Sequence, residues 1–148
     1  MNWRHWCASI AAVFAALFAT HAESQTLMTC GASAGRGYYL KGDLIPAEKA
    51  GWQDDAITGG NTTLAFDGSD YDIIFRDASG MSYSTRSDGG TVVLLNRSAS
   101  QWMVLVVYGG TGVTETYVFS AANKEVVWTQ AKVGGLVEKV ALFRAPCS

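Results

Sequence analysis

The residues best suited to acid–base or nucleophilic chemistry are concentrated where the folded protein is not expected to keep them. His5 and His21 are the only imidazoles of the 148-residue sequence, and both precede residue 23 together with Cys7, one of three cysteines. Residues 1–22 have the parts of a secretory signal peptide. Arg4 supplies the charged start, residues 6–18 (WCASIAAVFAALF) are uncharged and mostly apolar, and Thr20 and Ala22 are small residues at −3 and −1 of a cleavage after Ala22. The apolar run is shorter than the roughly 20 residues a membrane span needs. Export to the periplasm or the extracellular space is therefore expected, and the chain that remains, 23–148, has no histidine.

That subtraction decides which chemistries survive. A Ser-His-Asp triad, a Cys-His dyad and a His-ligated zinc each need an imidazole, so all three are excluded. The remaining thiols, Cys30 and Cys147, stand 117 positions apart without a CxxC spacing. In an oxidising compartment they are expected to form one disulfide between the ends of the chain. Two carboxylate pairs, Asp54 with Asp55 and Asp70 with Asp72, are the remaining catalytic candidates, because a glycosidase needs only two acids at a set separation. Both pairs sit where turns and solvated strand ends ordinarily carry acids.

The acid-rich stretch Asp67-Gly68-Ser69-Asp70-Tyr71-Asp72 does not match a calcium loop, since positions one, three and five read Asp, Ser and Tyr. Gly110-Thr111-Gly112 is followed by no helix whose N-terminus could hold a phosphate. No metal or cofactor is expected, and the chain reads as a non-enzyme. Removal of residues 1–22 takes away Arg4 and no acid, so 11 basic residues become 10 against 13 acidic, a net charge of −3. A nucleic-acid partner would demand the opposite sign and clustered Lys and Arg. Asn61-Thr62-Thr63 and Asn96-Arg97-Ser98 fit the N-glycosylation pattern, which matters only in a eukaryotic secretory route.

The elements that must carry these residues are read from a repeating device. Eight short apolar-rich segments, 62–66, 71–76, 81–86, 91–96, 101–108, 113–120, 125–131 and 137–144, are separated by turn residues such as Asp67-Gly68, Ser79-Gly80, Asn123-Lys124 and Gly134-Gly135. Regular spacing with hairpin chemistry between strands predicts an all-β fold. Short loops forbid crossovers, so the expectation is an eight-stranded antiparallel meander closed into a small barrel, with a two-sheet sandwich as the alternative. One domain, 23–148, accommodates it. Residues 23–61 read as an N-terminal extension packing on the sheet, with a short strand over 38–40, a helical turn near Pro46 and an ambiguous stretch over 52–57.

Alternation assigns the faces. Tyr71, Ile73 and Phe75 share one side of their strand; Val113, Tyr117 and Phe119 share one side of theirs, where Glu115 breaks the pattern. In a barrel, Tyr71, Phe75, Tyr117 and Phe119 would line a lumen that is either self-filled or open to one small apolar ligand. The segment WMVLVVY over 102–108 is apolar on both sides, as is its neighbour over 92–95, so something must cover Val93, Leu95, Met103, Leu105 and Val107. The expected cover is the segment carrying Tyr38, Tyr39, Leu40, Leu44, Ile45 and Trp52, which predicts a monomer; a second copy is the alternative.

The layout resembles in outline the small secreted barrels of the lipocalin group, although Gly51-Trp52 lacks the spacer of their Gly-x-Trp signature. The carrier of a small hydrophobic ligand is the reading that an open lumen in an eight-stranded barrel would support. The residues themselves favour a non-enzymatic binding or interaction module, with the carrier second and a carboxylate-based hydrolase third.

Overall fold

The computed structural model describes residues 24–148, and the expected signal peptide and its cleavage position lie outside them. Eleven strands are formed: β1 (Gln25–Cys30), β2 (Ser33–Tyr39), β3 (Gly51–Ile57), β4 (Asn61–Phe66), β5 (Tyr71–Arg76), β6 (Ser82–Ser84), β7 (Thr91–Arg97), β8 (Gln101–Tyr108), β9 (Val113–Ser120), β10 (Glu125–Lys132) and β11 (Lys139–Pro146). One 3₁₀ turn, Ala47–Lys49, follows Pro46, whose fixed φ suits the entry to a helical turn. Among the described residues no helix is long and apolar enough to cross a membrane.

The strands form two antiparallel sheets. Four of them run in the order β1-β4-β5-β6 and seven in the order β3-β2-β11-β10-β9-β8-β7. The all-β expectation holds, but the closed barrel is not formed. Closure would require β11 to pair with β4, the first strand of the expected meander. Instead β2 takes the free edge of β11 through Lys139↔Tyr39 to Arg144↔Ala34, and β1 takes the free edge of β4 through Gln25↔Phe66 to Cys30↔Thr62. The meander also breaks once. The strand expected over 81–86 is cut to three residues, and Thr85 to Gly90 form turns that carry the chain from the small sheet to the large one. The last strand begins two residues later than expected, at Lys139, after a loop containing Gly134 and Gly135.

The N-terminal extension is thus part of both sheets. Its aromatic segment does not cross β7 and β8: Tyr38 and Trp52 are a cross-strand pair on β2 and β3, at the opposite margin of the large sheet.

The two sheets face each other across one core, an arrangement that the sandwich alternative fits. The small sheet contributes Met28, Leu64 and Ile73, and the large sheet contributes Val104, Val106, Tyr117, Phe119, Val126, Trp128 and Phe143, all at most 6% exposed. Three aromatic rings on adjacent strands lie side by side, Tyr117 5.3 Å from Trp128 and Trp128 4.4 Å from Phe143. The next position along this row is Gly35 on β2. A methyl group added there would fall 1.9 Å from the Leu142 carbonyl oxygen, so only glycine lets β2 approach β11 this closely. Cys30 and Cys147 are bonded to each other, joining the small sheet to the end of the large one.

The sheet margins are uneven. β1 is bulged at Leu27 and β7 at Leu95, each leaving one residue without a partner across the ladder.

Candidate interaction face

Because side chains alternate, the large sheet turns one set of residues to the core and the other outward. The outward set is not what a water-facing sheet carries. The cross-strand register lines it up in rows. One runs Val93–Leu105–Thr116–Thr129–Leu142–Arg36–Asp54 from β7 to β3, and the next runs Thr91–Val107–Thr114–Ala131–Val140–Tyr38–Trp52. A third runs Met103–Val118–Val127–Arg144–Ala34–Ala56.

Apart from Arg144 on β11, apolar side chains and threonines fill these rows from β7 through β11. Val93, Leu95, Met103, Val118, Val140 and Leu142 are 37–52% exposed, and Trp52 reaches 64%. All five residues expected to form an interaction strip therefore lie on this face, with Leu105 and Val107 partly covered by their neighbours. The strip is wider than the sequence suggested. Val140 and Leu142 alternate with the buried Ala141 and Phe143 in β11, which is apolar on both sides like β8. That signal was visible in KVALFRAP, but joining it to the strip required the order of strands.

Charge on the face is confined and balanced. Arg36 lies 3.4 Å from Asp54, and Arg144 Nε donates to Glu125. Between the arginines Ala34 has little side chain, leaving an open hollow of about 650 Å³ lined by Ala34, Arg36, Trp52, Val127, Leu142 and Arg144. Immediately beside it, the rings of Tyr38 and Trp52 meet edge to face at 5.6 Å and stand out from the sheet.

The candidate carboxylates are used differently. Asp54 and Asp55 point to opposite faces of β3. Asp55 turns inward, accepting hydrogen bonds from the Tyr39 hydroxyl at 2.8 Å and from Lys139. Burial pushes its carboxyl up, and the hydrogen bonds from Lys139 and Tyr39 outweigh this and hold it below the ordinary range. Asp70 pairs with Arg86 at 3.0 Å, while Asp72 accepts from Ser84 Oγ and the Arg86 backbone N–H. Asp54 and Asp55 are thus held on opposite sides of β3, and Asp70 and Asp72 are both tied to Arg86. Among the described residues there is no group of three or more His, Cys, Asp or Glu placed to hold a metal ion.

The four residues expected around a lumen all reach the core. Tyr71, Tyr117 and Phe119 are buried and Phe75 is half-buried, with Phe75 6.3 Å from Tyr117 and Tyr117 stacked on Phe119 at 5.8 Å. Phe75, Tyr117 and Phe119 pack on one another and Tyr71 packs on Phe66, between two sheets rather than around a barrel axis.

One buried acid was flagged in the sequence only as a break in alternation. Glu115 is 5% exposed and faces the core, where its carboxylate accepts hydrogen bonds from the Tyr117 hydroxyl and Gln130 Nε2, each at 2.7 Å. Burial raises its pKa, and the two hydrogen bonds offset only part of that. Tyr117 is raised well above the ordinary phenol value, first by burial and then by the neighbouring Glu115. Glu115 thus joins β9 to β10 from within the core through Gln130.

In comparison with known proteins, no family model, no curated protein and no solved structure matches this chain.

Proposed function

We propose that this chain is an exported, non-enzymatic interaction module that binds a partner through the outer face of its seven-stranded sheet. The observation that carries the reading is the apolar character of that face from β7 to β11. A contiguous apolar patch on a monomer rarely exceeds a few hundred Å² unless it binds something. Export is supported by the leader pattern of residues 1–22 and by the Cys30–Cys147 bond, which belongs to an oxidising compartment. The hydrolase alternative finds little support, since its carboxylates are engaged in turns and ion pairs. A carrier in a lumen has no closed barrel to occupy.

The test is to compare the protein with a Leu105→Glu/Leu142→Glu variant. The face reading expects an environment-sensitive apolar dye, or a partner retained from the host's own envelope fraction, to bind the parent and not the variant, with the thermal melt unchanged. Equal binding by both proteins would refute it.

A further inference from the structure

We infer that the partner on this face is a second copy of the same chain, packed sheet to sheet about a twofold axis; the inference rests on the interaction-module reading above. Three observations point to it. The first is size. Seven strands at about 4.8 Å spacing and three rows of residues about 6.8 Å apart span roughly 34 by 20 Å, or about 700 Å² of plane. A stable interface takes about 800 Å² from each partner, so the face matches what one closed dimer buries.

The second is shape. The face carries both a knob and a hollow. Tyr38 and Trp52 project in one outer row, and the small Ala34 and Ala56 occupy another, two residue pairs away along β2 and β3, with Ala34 in the hollow that Trp52 also helps to wall. A twofold axis in the plane between the copies, perpendicular to the strands and over the Leu142–Thr129 row, exchanges these rows. It lays Tyr38 and Trp52 of each copy over Ala34 and Ala56 of the other. A twofold contact must be self-complementary in this way, and a face evolved for an unrelated surface need not be.

The third is charge. Arg36 with Asp54 and Arg144 with Glu125 leave the face without net charge, so the Arg36 and Asp54 that this axis sets opposite their own counterparts each meet them beside a counter-ion. The Arg36–Asp54 pair lies at the margin of the sheet, between the Tyr38–Trp52 pair and the Ala34–Ala56 pair.

Sedimentation equilibrium of the exported chain tests this. The parent is expected to be a dimer at micromolar concentration. Leu142→Glu and, independently, Thr129→Arg place a charge in the centre of the contact, and symmetry counts each substitution twice. Either should weaken association by at least about 100-fold without lowering the melting temperature. Thr129 is already polar and exposed, so its variant tests the contact even if Leu142→Glu folds poorly. Ala34→Trp fills the hollow and should also give monomer. A short bis-maleimide should link Thr129→Cys to its own counterpart, and should not link Lys41→Cys, which lies in a loop off the face.

A dimer that persists in both charged variants places the contact elsewhere and overturns the proposal. A parent that stays monomeric at about 100 µM overturns it too. In that case dye binding that Leu142→Glu abolishes leaves the interaction-module reading standing, and its absence removes both.

Discussion

Breaking the bond between Cys30 and Cys147 gives the most direct measure of what holds the two sheets together. The linked residues are 117 apart in sequence, and closing a loop of that length removes about 16 cal/mol/K of entropy from the unfolded chain, or about 5 kcal/mol at 25 °C. Domains of this size are typically stable by about 5–15 kcal/mol, so the loss is a large part of the total. The bond is also where the sheets meet: Thr29 and Ser148 exchange backbone hydrogen bonds beside it, and Gly31 N–H donates to the Pro146 carbonyl. In urea, with a slope of about 1.5–2 kcal/mol/M, Cys30→Ala/Cys147→Ala should lower the unfolding midpoint by about 2.5–3 M. Reduction of the parent should lower it by nearly as much, and the difference reports the volume lost at the fully buried Cys30. The slope itself should rise, because the uncrosslinked chain exposes more surface on unfolding. A midpoint that moves by less than about 0.5 M in both experiments would refute the reasoning, and would mean that the unfolded ensemble already holds these ends together.

Gly35→Ala should lower stability by at least about 2 kcal/mol in the same assay, because the added methyl group meets a backbone carbonyl that cannot rotate away; a neutral result would mean that β2 and β11 are not paired as described. Glu115 binds its proton more tightly folded than unfolded, so its contribution to stability is fully present at acid pH and is lost as pH rises from the ordinary carboxylate range through its raised folded pKa. Thermal melts across pH 4–8 should show a downward component in the parent that Glu115→Gln lacks, and identical pH profiles would show that the acid is not enclosed.

Much of the fold was legible, and the reason is local. Hairpins are written by their turns: the Asp67-Gly68 turn has Gly68 at φ 98°, and Asn123-Lys124 ends in the one described non-glycine residue at positive φ, Lys124 at 51°. The strands flanking these turns fall where alternation placed them. What could not be read was long-range. β1 pairs with β4 and β2 with β11, and no hairpin announces either pairing. β2 was further disguised by Gly35 and Gly37, which depress strand propensity yet are needed for close approach to β11. The barrel expectation failed on those two pairings, since each occupies an edge that closure would have used.

The candidate site divides in the same way. WMVLVVY and the neighbouring segment 92–95 disclosed that β8 and β7 are apolar on both sides, and five of the face residues followed from them. The contribution of Tyr38, Trp52, Val140 and Leu142 depended on which strands lie beside which. Glu115 was visible as an acid on the apolar side of β9, but its meaning required Gln130 on the next strand to be in place.

The bulges at Leu27 and Leu95 bear on how far such a protein can assemble. Bulged β1 and β7, a three-residue β6, and a β3 carrying Asp54 and Asp55 are all poor templates for adding another chain edge to edge. Growth sideways into ribbons or fibres is thereby discouraged. Deleting Leu95 to straighten β7 would lift one of those brakes, and the expected consequence is turbidity on standing in a sample whose parent stays clear.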